Sequence, residues 1–561
     1  MKKRSVCALG MAFVLAGCSA GGTSGSSSEQ TLTVGLFSEM NGDFSPMYYQ
    51  TVNDSNVVNL VYQGLLKYDK DSNLVPDLAK ELPTISDDGT TMTFKLKKGV
   101  KFSDGSKLTS KDVKTTFSVM ADPSYTGRFS SNVDFINGYT EYHDGDAKEV
   151  TGIETPDDYT VVFHMAKPKI DAESTLGTQK ICSAKTLNYK KGKTSNVEKN
   201  NSNPIGTGAY KLKSFSKSEG ASLERNENFK AKKGEYQISK IMIKKTETST
   251  EVKELEKGTV DYIPDVVDAN KINTVAKDSD KGLTMDSYPS DREDFLFMNT
   301  AKGACADQAV RQALAYGFDR QGYIDSYYKL DDKDAELAYV PGLFGNPVSA
   351  GNGAYVRGEE KVEGATYYDY DVEKAKQILD DAGWKEGSDG IREKDGQKLS
   401  IKFLATKEKD AMDTLIPILQ KEWGELGVDF KANTMEFNTV ISTVGDDSAL
   451  GDWDVSYIGF SYGNPEDTGV DYLIQSKGVN NFARLNDAEL DSYLDAGSHT
   501  ADKDASSAAY LKAYVRQSEL CAYLPTDGVQ TYCLRNKKVK GMETTSTFSW
   551  SQSMATAYIK D

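Results

Sequence analysis

Hydrophobic and polar positions change period several times along this chain, and each change marks an element. At the amino terminus Lys2, Lys3 and Arg4 precede an apolar run over residues 6–17, the charge-then-apolar order of an export signal. The run falls short of the ~20 apolar residues a bilayer-spanning helix needs, so it predicts export with cleavage, residues 1–17 being the signal. Residues 18–30 bring Gly21, Gly22, Ser24, Gly25 and three consecutive serines, a composition that buries nothing and behaves as a flexible tether. From Thr91, Thr-Met-Thr-Phe-Lys-Leu alternates with period two, which predicts a strand, and Ser103-Asp104-Gly105-Ser106 supplies a turn. Thr109 and Asp112 form a helix-start box, and Val113, Phe117 and Met120 follow as one apolar stripe. A second helix is predicted over residues 371–382, with Val372, Ala375, Leu379 and Ala382 on one face and Gly383 as its stop. A third carries Met412, Leu415, Leu419, Trp423 and Leu426. Strands alternating with such helices predict an α/β protein, its sheets covered by helices and a ligand held in a cleft between two lobes.

Length supports two lobes, because single cores stop growing at about 250–300 residues and this chain has 561. No Pro-rich or Gly/Ser-rich linker interrupts it after residue 30 and no solenoid-length repeat occurs, so the lobes are expected to be interwoven. Loss of the signal takes three positive charges and moves the formal charge from −17 to −20. Such a surface repels phosphate backbones, which excludes nucleic acid as a partner. Beyond Cys18, the thiols Cys182, Cys305, Cys521 and Cys533 lack the C-x-x-C spacing of zinc or redox sites. A Cys521–Cys533 disulfide and four isolated thiols both remain open.

Catalytic constellations are absent from the sequence. The three histidines, His143, His164 and His499, have no metal-ligand spacing. There is no G-x-S-x-G elbow and no G-x-x-x-x-G-K-[ST] loop, and Gly351-Asn352-Gly353 lacks the third glycine of a dinucleotide loop. Asp69 to Asn73 begins like a calcium loop but places Leu74 where the sharp turn needs glycine, which makes it an exposed turn. The paired acids Asp87-Asp88 and Asp446-Asp447 read as solvated loop charges among 84 acidic residues. The expectation is a binding protein rather than an enzyme, without metal or cofactor.

The positive signal is a set of ordered segments. Val75-Pro76-Asp77-Leu78-Ala79-Lys80 leads into Ser86-Asp87-Asp88-Gly89, the alternating strand and Phe102-Ser103-Asp104-Gly105, and then into Leu108-Thr109-Ser110-Lys111-Asp112-Val113. Gly206-Thr207-Gly208-Ala209-Tyr210 is followed by Leu223-Glu224-Arg225-Asn226, then Phe297-Met298-Asn299-Thr300, Val310-Arg311-Gln312-Ala313-Leu314-Ala315 and Phe318-Asp319-Arg320. The helix ending Ala382-Gly383-Trp384 and Leu426-Gly427-Val428 complete the series. Together these resemble the signature of the family-5 solute-binding proteins, which serve oligopeptide, dipeptide and nickel importers. The resemblance covers residues 31–561. It implies the two-lobed periplasmic-binding-protein fold of the large peptide-binding class (type II). Lobe one would span 31–290 with an extra subdomain near 62–200, lobe two 291–510, and residues 511–561 would return to lobe one. Arg311 and Asp319 are read as structural. Leu15-Ala16-Gly17-Cys18 resembles a lipobox, which makes Cys18 the lipid anchor to the membrane. The implied partners are a peptide and ABC permease subunits with their cytoplasmic ATPases. The implied place is the outer face of the cytoplasmic membrane, or the periplasm of a Gram-negative cell, and the implied state a monomer.

The resemblance also points to a site. Peptide-binding members carry an acid for the ligand ammonium in a segment similar to Asp-Tyr-x-x-Pro, after a Trp-Asp stretch. Here Trp453-Asp454-Val455 is followed by Phe460-Ser461-Tyr462-Gly463-Asn464-Pro465-Glu466-Asp467. Ser461 stands where the aspartate is expected, so Glu466 or Asp467 is the candidate substitute, with Phe460, Tyr462 and Asn464 beside them; a plain turn is the alternative. Glu39, Met40 and Asn41, after Ser38, resemble the early strand that pairs with a ligand backbone, a plain edge strand being the alternative. The missing aspartate keeps nickel chelates and oligosaccharides open as solutes, and 31 tyrosines would suit sugars as well as peptide side chains. A surface peptide sensor or adhesin uncoupled from import also remains open.

Overall fold

The computed structural model describes residues 30–36, 40–332, 335–407 and 411–560; Cys18 and Glu39 lie outside the described residues. A single large sheet runs through the molecule. Its strands are β1 (Gln30–Leu36), β2 (Tyr210–Ser216), β3 (Gly220–Arg225), β4 (Ile238–Lys245), β5 (Tyr262–Val266), β6 (Leu283–Met298), β7 (Ser400–Thr406), β8 (Asp429–Met435), β9 (Val455–Ser461) and β10 (Tyr523–Asn536). They lie in the order β8-β7-β9-β6-β10-β5-β1-β4-β3-β2, and Ala338–Tyr339 adds an eleventh strand on β10. The α/β class and the two lobes expected from the sequence are both present. Phe94, Phe117, Ile241 and Trp550 pack in the core on one side of the crossing. Leu314, Leu419 and Trp423 form one cluster on the other side, and Trp453, Tyr510 and Tyr514 form the next.

β6 and β10, 16 and 14 residues long, belong to both lobes. Their antiparallel ladder shifts register twice: Thr526 is left unopposed between the pairs Asp294–Asp527 and Phe295–Pro525, and the wider break comes just before it, where Pro289 pairs with Gln530 and the next pair is Glu293 with Gly528. Three residues, Ser290, Asp291 and Arg292, there oppose Val529 alone, a bulge that bends the strand. Pro289, with no N–H to give to a ladder, closes the first stretch. Beyond the bulge β6 gains β9 as a second neighbour, Arg292 pairing with Ser461. The chain crosses back along β10 rather than at residue 511, since Tyr514, on the helix Lys503–Leu520, still packs in the second-lobe core.

The local predictions find their physical basis in capping and burial. The strand Thr91–Lys95 sits in a separate four-stranded sheet of residues 84–164. Thr109 and Asp112 make the capping box of the helix Ser110–Met120, whose Val113, Phe117 and Met120 are fully buried. Asp371 accepts from Lys374 N to start the helix Val372–Asp381, and Gly383 ends it at φ +88°. Leu415, Leu419 and Trp423 point from the helix Ala411–Glu425 into the core, where truncation of one such residue costs ~3–5 kcal/mol. Asp69 Oδ1 accepts from Asp71 N and Asn73 N, closing an exposed hairpin turn. Arg311 donates to the carbonyls of Leu520, Cys305 and Ala306, and Asp319 caps the helix Arg320–Tyr327. The four thiols Cys182, Cys305, Cys521 and Cys533 are free and buried. Cys521 caps the helix before β10 and Cys533 lies near the strand's far end, ten residues on from its first, Tyr523, a span of ~33 Å at 3.3 Å per residue that puts the two far beyond disulfide reach. Among the described residues no helix is long and apolar enough to cross a membrane.

Candidate functional site

The loop after β9 starts at the strand crossing. Ser461, opposite Arg292, has an exposed side chain. Tyr462 N donates to Asp291 O (3.2 Å) and Gly463 N to Asp291 Oδ2 (2.9 Å), which ties the loop to the bulge. Tyr462 turns inward, 6% exposed, with Phe460 edge-on to its ring at 5.1 Å. Its hydroxyl donates to Glu293 Oε2 at 3.4 Å, and burial holds the Glu293 carboxyl well above its usual range. The buried Asn346 amide donates to the carbonyls of Asn464 (2.9 Å) and Glu466 (2.8 Å), fixing the loop's second half.

Glu466 and Asp467 then part company. Asp467 is 6% exposed, and its carboxylate accepts from Ser349 Oγ (2.9 Å), Asn352 Nδ2 (2.9 Å) and Tyr514 Oη (2.5 Å), all in the second lobe. Burial pushes its pKa up to about 6 against these three donors. Glu466 instead faces the first lobe, where Tyr68 Oη donates to its Oε2 at 3.1 Å. Burial, and then the charge of Asp171, push it up to about 7. Two further bonds join the lobes, Thr468 Oγ1 to Asp171 Oδ2 (3.0 Å) and Ile170 N to Ser498 O (3.0 Å).

Between this loop and the first lobe lies a cavity of about 230 Å³, whose walls include Tyr49, Tyr68, Phe129, Gln179, Lys180 and Asn464. Asn464 Oδ1 is buried there without a hydrogen-bond partner among the described residues, an arrangement native proteins rarely leave unsatisfied. The Lys180 ammonium is depressed by burial, with Asp77 opposing the shift. Arg128 lies over the rings of Tyr49 (5.0 Å) and Phe129 (4.7 Å), stiffening one wall. The cavity thus offers a cation, an unsatisfied acceptor and aromatic surface. A carboxyl sits one hydrogen bond behind it, through Tyr68.

Of the residues singled out from the sequence, the structure brings Asn464 to this cavity and Glu466 to its edge. Phe460 and Tyr462 support the loop from within, Ser461 stands at the crossing, and Asp467 is bound inside the second lobe. Met40 is buried in the first-lobe core. Asn41 is exposed, and its N–H is directed at Asp54 Oδ2 (3.3 Å). Neither belongs to a strand, because β1 stops at Leu36, and β1 is an interior strand between β4 and β5 rather than an edge. Sequence reasoning did not find Tyr49, Tyr68, Phe129, Gln179 or Lys180. They come singly from separate segments, and no spacing connects them.

Comparison with known proteins identifies the family and the fold. The chain matches the family described as bacterial extracellular solute-binding proteins, family 5 Middle, over residues 73–482. It is 25% identical over 527 residues to the oligopeptide-binding protein AppA of Bacillus subtilis (strain 168), covering 91% of this chain and 90% of that protein. Its fold is similar to that of the ABC transporter substrate-binding protein CtaP from Listeria monocytogenes, with a TM-score of 0.78 at 22% identity over 95% of this chain and 99% of the other. NikZ from Campylobacter jejuni, in complex with Ni(L-His), gives 0.73 at 22% identity over 94% and 99%. A match across most of the chain, on a fold whose two lobes enclose a cavity, makes this protein a member of family 5 of the bacterial extracellular solute-binding proteins.

Proposed function

We propose that this protein is the solute-binding component of an ABC importer, capturing peptides between its lobes and delivering them to a membrane permease. The observation that carries the reading is the interlobe cavity, where Lys180 and Asn464 line one space and Glu466 stands behind Tyr68. A short peptide carries the complement: a carboxylate for Lys180, an N–H for Asn464 Oδ1 and an ammonium for Glu466. Each pairing is charge-assisted or satisfies a buried group, and such bonds contribute ~1.5–3 kcal/mol. In this reading lobe one is residues 31–290, lobe two begins at 291 and includes the helix Lys503–Leu520, and the chain returns to lobe one along β10. The subdomain at 62–200 supplies Tyr68, Phe129, Gln179 and Lys180 to the cleft. Closure bends β6 and β10 at their shared break.

The protein is expected to be held outside the cytoplasm by a lipid on Cys18. Metabolic labelling with a fatty acid checks this, and labelling that persists in Cys18→Ala would remove that cysteine as the anchor. The ligand itself is tested by mass spectrometry of what the purified protein releases on denaturation. Peptide masses are expected; a nickel chelate or an oligosaccharide in their place would overturn the peptide reading.

A further inference from the structure

A second and larger cavity, of about 770 Å³, lies wholly within the first lobe. Lys80, Lys97, Lys98, Lys101, Lys230 and Lys232 line it with exposed side chains, together with the half-buried Lys67. Among the described residues the only acidic ones on its walls are Asp77 and Glu235. This inverts the balance of the whole chain, which has 84 acidic residues against 67 lysines and arginines. Lys97 Nζ donates to the main-chain oxygen of Asp77, and Lys98 lies over the Tyr159 ring at 5.2 Å. Among the described residues none of the seven makes an ion pair with a carboxylate. Lysines elsewhere do: Lys114 with Glu149 and Lys538 with Asp261, both at 2.7 Å. Like charges collected around one cavity repel one another, and an anion entering it relieves that repulsion.

The place of the cavity is as informative as its charge. Tyr236 and Ala555 form part of its wall and are bonded to each other, Tyr236 N to Ala555 O at 3.0 Å. Two residues past Tyr236, Ile238 pairs with Gln30, the first described residue. Four residues past Ala555, Ile559 exchanges two hydrogen bonds with the Gln30 side chain. Gln30, the residue that ends the tether, therefore lies beside the lysine-lined cavity. The twelve residues from there back to Cys18 span at most ~40 Å when fully extended, so a lipid on Cys18 keeps this face within reach of the bilayer.

We propose that the lysine-lined cavity binds the phosphodiester headgroups of the anionic membrane to which the chain is tethered, and so orients the first lobe on the bilayer. An acidic protein is otherwise repelled by that surface; seven lysines without a carboxylate partner, close to Gln30, give it one adhesive face. The choice of a membrane as the source of phosphate rests on the reading of Cys18 as a lipid anchor, whereas the anion site itself does not.

The test uses the unlipidated chain from Ser19 onward, which carries every described element and both lobes. Its binding to vesicles of phosphatidylglycerol and phosphatidylcholine is compared with binding to phosphatidylcholine alone by flotation at low and physiological salt. Preference for the anionic vesicles is expected, at roughly five-fold in affinity per lysine, so that Lys98→Gln/Lys101→Gln/Lys230→Gln loses on the order of a hundred-fold. Lys421→Gln, an exposed second-lobe change, is expected to lose nothing, and peptide affinity stays unchanged in every variant. No preference for phosphatidylglycerol, or an equal loss in Lys421→Gln and the triple variant, would overturn the proposal. Calorimetry with glycerol phosphate forms the last arm: tight binding that depends on the same three lysines, with no vesicle binding, would make this a soluble-anion site and would also overturn it. Fatty-acid labelling reports on Cys18 separately, so failure of the anchor and failure of the site are distinguishable.

Discussion

The two sides of the loop that follows β9 are built from the same kind of residue and do different work. On the inner side Asp467 is surrounded by its own lobe, with Ser349, Asn352 and Tyr514 all donating to it. On the cleft side its neighbour Glu466 meets the other lobe through Tyr68. One carboxyl therefore makes its bonds within a single lobe, while the other makes its bond across the cleft, where we propose that it meets the ligand. Adjacent acids can thus face different lobes according to which way the backbone turns them, and the proposed reading gives only the cleft-side acid a part in recognition.

The largest expected effect separates the two by stability. Asp467→Ala leaves three buried donors without their acceptor, at about 1–3 kcal/mol for each group left unpaired, so a loss of about 3 kcal/mol or more is expected in denaturant unfolding. Glu466→Ala is expected to cost about 1 kcal/mol or less, since its side chain gives up one cross-lobe bond. Equal losses would erase the distinction.

Acidity sharpens it next. Asp467 is raised from 3.8 to about 6 and Glu466 from 4.5 to about 7. A carboxyl whose pKa rises on folding takes up protons, so its contribution is full below about pH 4 and is lost as pH climbs through the folded value. At 1.36 kcal/mol per pKa unit, stability is expected to fall by about 2–3 kcal/mol from Asp467 between pH 4 and 7. Asp467→Asn should flatten that limb of the curve, and an unaltered limb would place the titration elsewhere.

Ligand binding probes the cleft side alone. A free peptide is expected to bind about tenfold tighter than its N-acetylated form, a difference of ~1.4 kcal/mol, and Glu466→Gln should remove most of it while Asp467→Asn removes little. Equal affinity of the wild type for both forms by titration calorimetry would take the ammonium away from Glu466. The smallest effect belongs to Tyr68→Phe, which deletes one cross-lobe bond of about 1 kcal/mol and should raise the radius of gyration of the free protein slightly in X-ray scattering. Added peptide should lower it again.

Much of the fold was legible in the sequence because its causes are local. The helix Ser110–Met120 announces itself within twelve residues, from the Thr109–Asp112 box to the buried Met120. Trp423 follows Leu415 and Leu419 on one stripe, so its burial could be read from spacing alone. The cleft obeys no such rule. Lys180 and Asn464 line the same cavity from positions 284 residues apart, and nothing in either neighbourhood names the other. Even the loop that sequence did single out kept its secret in orientation, since Glu466 and Asp467 differ only in which lobe each one faces. The strand expected around Asn41 failed for a related reason: Met40 is drawn into the core and Asn41 N bends towards Asp54, past the end of β1.

The break shared by β6 and β10 bears on the ancestry and engineering of the molecule as well as on its bending. Pro289 faces Gln530 across the ladder, and Glu293 faces Gly528 immediately beyond, so the second lobe enters and leaves through one doorway about a strand spacing wide. It is, in effect, a domain inserted into a hairpin of the first. Joining 289 to 530 through a two-residue turn would seal that hairpin and leave the first lobe with every strand of its sheet from β1 to β5. The cluster that holds Leu283 and Leu534 would lose Leu337, and with it Tyr328 and Leu330, which pack against the same cluster. A half-size protein retaining the lysine-lined cavity but no cleft is therefore contained within the whole.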